Sequence, residues 1–496
     1  MTCIRVHGAA LFVLTLAKFL IAQDTKFPPQ GEQIPGPDQT KTESGQCCYR
    51  SDGTKGSAEA FQAWIEDVSH WRRERLIRLG YNGSEYERPE LKWTQSSFIQ
   101  PQMMIEDRYF YDPVAGRYTV DRYLDDLEKR YGGIDSVLIW HTYPNIGIDN
   151  RNQYDLLHDM PGGVEGLKQM INDFHRRGVR VLFPVMLWDQ GTRDVGIPNW
   201  EATAKAMAEI GADGINGDTL DGIPRAFRTA SDQTGHPIAL EPEGGPADED
   251  LQWNNLTWGY WKYPFVPMIS RYKWLEPRHM VNVCDRWNRD KTDNLQYAFF
   301  NGVGYESWEN IWGIWNQITP RDAEALRRVA KIERAFAWLL TSPNWEPHTP
   351  TLRYGVFASK FPGRGQTLWT FINRNEYAVE GPQITIPNAS QMPFYDVWHG
   401  EELKPDLIGS TATLSFEIEA HGFGAILATD GAPAAGGAEK LLTEMHELSR
   451  TPLSALSHEW KVLRQQLVEI ALTKPANSLP LGMVKIPEAD FDFHSA

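Results

Sequence analysis

Between residues 98 and 341, extended apolar runs alternate with amphipathic segments of helical period. This is the pattern of a parallel sheet with helical crossovers. The runs predict strands at 100–106, 134–143, 179–188, 212–218, 236–243, 266–274, 279–287 and 301–308. After the second run, Leu167, Met170, Ile171 and Phe174 form one apolar stripe that stops at Gly178, a C-terminal cap. The closing helix starts Thr319-Pro320-x-Asp322 and turns Leu326, Val329, Phe336 and Leu339 inward. Eight such units in about 245 residues predict an α/β fold, a (β/α)8 TIM barrel.

From 343 the period changes to two. In TLSFEIEA, Leu414, Phe416 and Ile418 alternate with Ser415, Glu417 and Glu419, which makes a half-buried antiparallel strand. A small β-sandwich is expected over 343–430, then a linker at 431–437 and a helical segment at 438–474 interrupted at Pro452. Residues 475–496 read as the strand-like start of a further module. At the other end, Arg5 precedes an apolar run from Ala9 to Ala17 with a small residue at Ala22, the pattern of a signal peptide over 1–22. A Pro/Gly/Gln/Ser-rich flexible leader over 23–57 precedes the barrel unit at 58–342, which includes an N-terminal helical extension. No other stretch reaches 18 apolar residues, so a secreted protein with no membrane contact after signal removal is expected. Asn82, Asn255 and Asn388 stand in glycosylation sequons.

Composition narrows the partners. Of the 496 residues 49 are Lys or Arg and 65 are Asp or Glu, a net charge of −16, which argues against nucleic acid. The chain has 19 Trp, 18 Tyr and 21 Phe, several in polar contexts such as WHTYPN at 140–145 and WNNLTWGYW at 253–261. Rings so placed suit a flat apolar ligand face. Four cysteines, with Cys47 and Cys48 adjacent and Cys284 able to pair with one of them, show no zinc spacing; no metal and no cofactor is expected.

A barrel keeps its chemistry at the carboxyl ends of its strands. There Asn216 and Asp218 share one face of strand four, and Glu241 and Glu243 one face of strand five. Strand seven ends in Asp285-Arg286 and strand eight in Glu306 and Trp308, with Trp312 beyond. Strand two offers Trp140, His141 and Tyr143, and strand three Trp188 and Asp189. Carboxylates among indoles are what glycosidic cleavage requires: a nucleophile, a proton donor and aromatic platforms for a carbohydrate. Any single acid here can equally be a helix cap or an ion-pair partner. Asp218 stands apart, because Gly flanks its segment and Asp213 or Asp221 can take the capping role.

The run Asp213-Gly-Ile-Asn-Gly-Asp218 resembles the strand-four segment of barrel glycosidases of the α-amylase, α-glucosidase and α-galactosidase type, and the resemblance covers about residues 98–430. It implies Asp218 as nucleophile, Glu243 or Glu241 as proton donor, and Asp285 as a third acid that orients a sugar hydroxyl with Arg286 as its ion-pair partner. Three positions depart from the α-amylase pattern: Asn216 replaces an Arg, and Val283-Cys284 replace Asn-His. The terminal GMVKIPEADF resembles the opening of formylglycine-generating-enzyme-like (sulfatase-modifying factor) domains.

The sequence thus predicts a secreted glycoside hydrolase in which Asp218 attacks as an ionised carboxylate and Glu243, or Glu241, donates a proton; carboxyl groups about 5 to 5.5 Å apart would retain the anomeric configuration and about 6.5 to 9.5 Å would invert it. The alternative is a barrel that binds carbohydrate without cleaving it. Trp140, His141, Trp188, Trp308 and Trp312 are expected at the mouth, with at least two indoles partly exposed.

Overall fold

The computed structural model describes residues 31–37, 56–142, 149–189, 192–286, 290–311, 314–315, 318–387, 389, 392–430, 438–461, 472 and 474–490. The expected signal peptide, linker, Tyr143, Trp312, Asn388, Cys47 and Cys48 lie outside these residues, as does most of the expected leader.

Eight parallel strands form the central sheet of the described residues: β1 (Ile99–Met104), β2 (Ser136–Trp140), β3 (Arg180–Val185), β4 (Gly214–Gly217), β5 (Ala239–Pro242), β6 (Leu256–Gly259), β7 (Met280–Val283) and β8 (Gly304–Ile311). Their order is β5-β4-β3-β2-β1-β8-β7-β6, so each strand neighbours the next in sequence and β8 returns to β1. Between β5 and β6, Asn255 N–H donates to the Leu240 carbonyl at 3.0 Å and brings the sheet round on itself. The molecule is therefore a TIM barrel. Helices α1 (Val120–Tyr131), α2 (Gly163–Arg176), α3 (Asn199–Ile210) and α4 (Arg225–Thr234) make the first four crossovers; α5 (Arg271–Leu275) and α6 (Thr292–Asn301) follow, and α7 (Pro320–Ala335) closes the ring. The α2 stripe Leu167, Met170, Ile171 and Phe174 is buried in the main core, as its period requires. Thr319 caps α7 through its side chain, which accepts from Asp322 N, with Pro320 in the first turn.

Strand six departs from the expected position. The run at 266–274 forms only a two-residue strand, Ile269–Ser270, paired antiparallel with Gln33–Ile34, and then turns into α5. Ser270 causes the turn, its hydroxyl accepting from Lys273 N at 3.3 Å as an N-cap. The sixth barrel strand is instead LTWG within the aromatic run at 253–261. Asn255, expected as a sequon, is fully buried there and its Oδ1 accepts from Arg228, leaving no room for a glycan; Asn82 is exposed.

A six-stranded and a three-stranded antiparallel sheet follow between Glu346 and Thr429 and enclose their own core, which includes Phe371, Leu414, Phe416 and Ile418. The side chain of Gln296 on α6 donates to the Asn373 and Gly422 carbonyls, and that of Arg321 on α7 to the His421 carbonyl, which seats the sandwich on the last barrel helices. Helix α8 (Ala438–Ser449) packs on α7, where Arg328 donates to the Leu448 and Thr451 carbonyls. Residues 474–490 form no strand and are exposed.

Candidate active site

Alternation along the strands sends one set of side chains into the barrel in two tiers. In the lower tier the register places Gln100 beside Glu306 and Asn216 beside Glu241. Asn282 Nδ2 reaches across from β7 to Glu241 Oε1 at 2.7 Å, and Asn216 Nδ2 donates to Oε2 at 3.2 Å. The Gln100 amide, with its nitrogen facing the two carboxyl groups, donates to Glu306 Oε2 at 2.9 Å and Glu241 Oε2 at 3.1 Å. Both carboxyl groups are buried. Burial pushes the Glu241 carboxyl up to about 7, against the pull of its donors Asn282, Asn216, Gln100 and Trp258. Burial, reinforced by the charge of Glu241, holds Glu306 well above the usual carboxylate range, with Arg286 opposing. Glu306 Oε1 is buried without a hydrogen-bond partner among the described residues, which fits a neutral acid.

The upper tier is the rim. Asp218, Glu243, Tyr260 and Cys284 each stand one residue beyond the end of β4, β5, β6 and β7. Asp218 is 3% exposed, and its Oδ2 accepts the indole N–H of Trp188 at 2.8 Å. Glu243 Oε2 accepts the backbone N–H of Thr219 at 2.6 Å; Oε1 accepts the Tyr260 hydroxyl at 2.9 Å and pairs with Arg286 Nη2. Thr219 lies at φ 59°, a left-handed conformation that disfavours a β-branched residue and is typical of strain held at functional sites. The tight turn after β4 also requires Gly217, where a Cβ would come within 2.8 Å of Leu220.

Among the described residues Arg286 lies over three rings, 4.4 Å from the Trp308 centroid, 5.1 Å from Tyr260 and 5.6 Å from Trp258. The sequence paired Arg286 with Asp285, but its carboxylate partner is Glu243. The charge of Asp285 acts on Tyr263, Lys291 and Cys284. Glu243 thus accepts from the Thr219 N–H and the Tyr260 hydroxyl and pairs with the Arg286 guanidinium. The carboxyl groups that burial pushes up lie one tier below: Glu241, to about 7, and Glu306, well above the usual carboxylate range.

The aromatic rim differs from the expected set. Trp188 is 43% exposed, whereas Trp140 and Trp308 are buried inside the barrel with Leu138, Met186, Trp258 and Cys284. His141 packs behind the wall, edge-on to Phe183, with Nε2 within 3.2 Å of the Gln153 carbonyl; burial pulls it down to about 4. Asp189 accepts from the Thr192 hydroxyl at 3.1 Å. Among the described residues a further exposed ring at the rim is Tyr260, 40% exposed, which lies in the aromatic run at 253–261 that the sequence singled out without assigning it to a barrel strand. Burial raises the Tyr260 phenol, so it stays a donor. Cys284 carries a buried free thiol beside it.

No family model matches the chain, and no curated protein matches it. Solved structures similar to it include a β-L-arabinopyranosidase of glycoside hydrolase family 27 from Geobacillus stearothermophilus, at 12% identity over 70% of this chain and 99% of that one, with a TM-score of 0.42. An α-amylase from Anoxybacillus is similar at 10% identity over 69% and 99%, with a TM-score of 0.46. An α-amylase from Geobacillus thermoleovorans, solved with acarbose, is similar at 11% identity over 68% and 99%, with a TM-score of 0.44.

Proposed function

We propose that this chain hydrolyses a glycosidic bond at the mouth of its barrel. One arrangement carries the proposal: Asp218 and Glu243 stand side by side on adjacent strand ends, and each holds an exposed aromatic ring, Trp188 on Asp218 and Tyr260 on Glu243. The rings offer apolar faces to the C–H surface of a sugar. The carboxylates then lie against its anomeric carbon and glycosidic oxygen.

On this proposal Asp218 attacks the anomeric carbon and forms an ester as the bond to the departing oxygen breaks. Glu243 gives that oxygen a proton, then takes one from the water that opens the ester. Two displacements retain the configuration. Glu243 has to leave Arg286 to carry the proton, and Arg286 keeps its contacts with Trp308 and Trp258 meanwhile. Export through the signal sequence would make the substrate an extracellular saccharide.

A second function has one observation in its favour. The Arg286–Glu243 ion pair occupies the group that has to donate, as expected of a barrel that binds carbohydrate without cleaving it. A panel of aryl α- and β-glycosides, followed by proton NMR of the released sugar, separates the two. Cleavage with retention supports Asp218 as nucleophile, inversion assigns the attack to water, and binding without cleavage supports the second function.

A further inference from the structure

We infer that residues 31–34, which the sequence places in a flexible leader, take part in building the rim: Glu32 and Gln33 are positioning residues that hold Tyr260 and the turn after Glu243 where the chemistry needs them. The inference rests on the proposed hydrolysis and names residues that position its groups.

Gln33 is buried, and its side-chain amide pairs with the backbone of Lys262 at both ends, accepting from the N–H at 2.8 Å and donating to the carbonyl at 3.1 Å. That contact spans 229 positions of sequence and fixes the chain two residues beyond Tyr260, whose hydroxyl donates to Glu243. Gln33 and Ile34 are themselves held against Ser270 and Ile269 as a short strand, and the Arg271 N–H donates to the Glu32 carbonyl at 2.9 Å. The Glu32 side chain lies against Gly245, two residues after Glu243. A Cβ at Gly245 would come within 3.0 Å of Glu32 Cγ and 2.7 Å of the Tyr272 hydroxyl. Gly244 is enclosed as tightly by Asp221, and its N–H donates to the Leu220 carbonyl at 2.8 Å. The turn that carries Glu243 is thus packed by Glu32 from the leader and by Asp221 from the end of β4.

Burial pushes the Glu32 carboxyl up to about 7, against the pull of the Tyr260 backbone and the Trp261 indole and with the charge of Asp221 adding to the rise. From α5, Tyr272 faces it, and the Arg271 guanidinium beside it donates to the Gly31 carbonyl and to Asp248. In an undocked leader the same carboxyl has its ordinary value of 4.5, so between those values docking takes up a proton. The hold of residues 31–34 therefore weakens as pH rises from 4.5 to about 7 and stays weak above.

The test uses the full chain as Gln33→Ala, Glu32→Gln and the double variant, assayed at about pH 5 and about pH 7.5, on either side of most of that transition. The substrate is the best glycoside found for the wild type, and circular dichroism confirms folding at each pH. Gln33→Ala removes both bonds to Lys262, and its kcat relative to wild type is expected to fall about 3- to 10-fold at the higher pH, the range of a lost hydrogen bond, and by less at the lower. Adding Glu32→Gln, which keeps that side chain neutral at nearly constant volume, is expected to recover most of the loss at the higher pH. Lost packing alone would give neither the pH dependence nor the recovery. A wild-type kcat in Gln33→Ala, a loss equal at the two pH values, or no recovery in the double variant overturns the inference and leaves glycoside cleavage intact. If nothing is cleaved, the hydrolytic proposal fails separately, and hydrogen exchange of the peptide holding Tyr260 and Lys262 decides the positioning role. Exchange faster in Gln33→Ala at the higher pH and slowed again by Glu32→Gln sustains it, and exchange without that recovery overturns it.

Discussion

Thr219 donates its backbone N–H to Glu243 Oε2 at 2.6 Å while sitting at φ 59°, so a strained residue next to Asp218 fastens the ends of β4 and β5 together. A left-handed non-glycine residue costs about 1–3 kcal/mol. Glycine at this position would relieve that strain and keep the N–H, at about 1 kcal/mol of added chain entropy on unfolding. Thr219→Gly is therefore expected to melt no lower than wild type, and Thr219→Pro, which loses the N–H and forces φ negative, to melt well below it. Thermal unfolding followed by circular dichroism checks both, and a marked loss in Thr219→Gly would show that the turn is not strained.

Trp188 combines an exposed ring with the donor to Asp218, and two substitutions separate these roles. Trp188→Phe keeps an apolar face and removes the N–H, so kcat is expected to fall by about 10- to 100-fold, the effect of one hydrogen bond to a charged group, with KM little changed. Trp188→Ala is expected to raise KM as well. A Phe variant with wild-type kcat would remove the indole from the mechanism.

The buried Glu241 sets a pH dependence of stability. Its carboxyl titrates at about 7 in the folded state against an ordinary value of 4.5, so between those values the folded chain holds a proton that the unfolded chain has released. Stability from this group therefore falls as pH rises from 4.5 to 7, by about 3 kcal/mol at most, and stays low above. Glu241→Gln removes the titration. Its melting temperature relative to wild type is expected to climb across that window, and a difference independent of pH would contradict the assignment. Using the difference cancels the opposite trend from the buried His141, His279 and His348, which are pulled down to about 4, 3 and 3 and destabilise the fold as pH drops below their ordinary value of 6.5.

The barrel was legible because seven of its strands are apolar runs between helices with clear stripes. Strand six was not, because LTWG lies among polar neighbours, while VPMISRYKW nearby has the longer apolar run. Only the Ser270 cap and the pairing with Gln33–Ile34, a contact more than 230 residues away in sequence, divert that run from the barrel. The same miss left Tyr260, inside the aromatic run at 253–261, without a place at a strand end. Asp218 and Glu243 could be read from period two, whereas Asp285 and Arg286 lie beyond the end of β7, where that period no longer applies. The Arg286–Glu243 pair and the raised tier of Glu241 and Glu306 could not be read, since both depend on contacts made across the barrel.

Turnover by Asp218→Asn tests the central claim most directly. The substitution removes the carboxylate charge at nearly constant volume and leaves a side-chain oxygen for the Trp188 N–H. On the best glycoside found for the wild type, kcat is expected to fall on the order of 10³-fold or more, with an unchanged melting profile. A folded Asp218→Asn protein that turns over that glycoside at near wild-type rate would contradict Asp218 as the nucleophile.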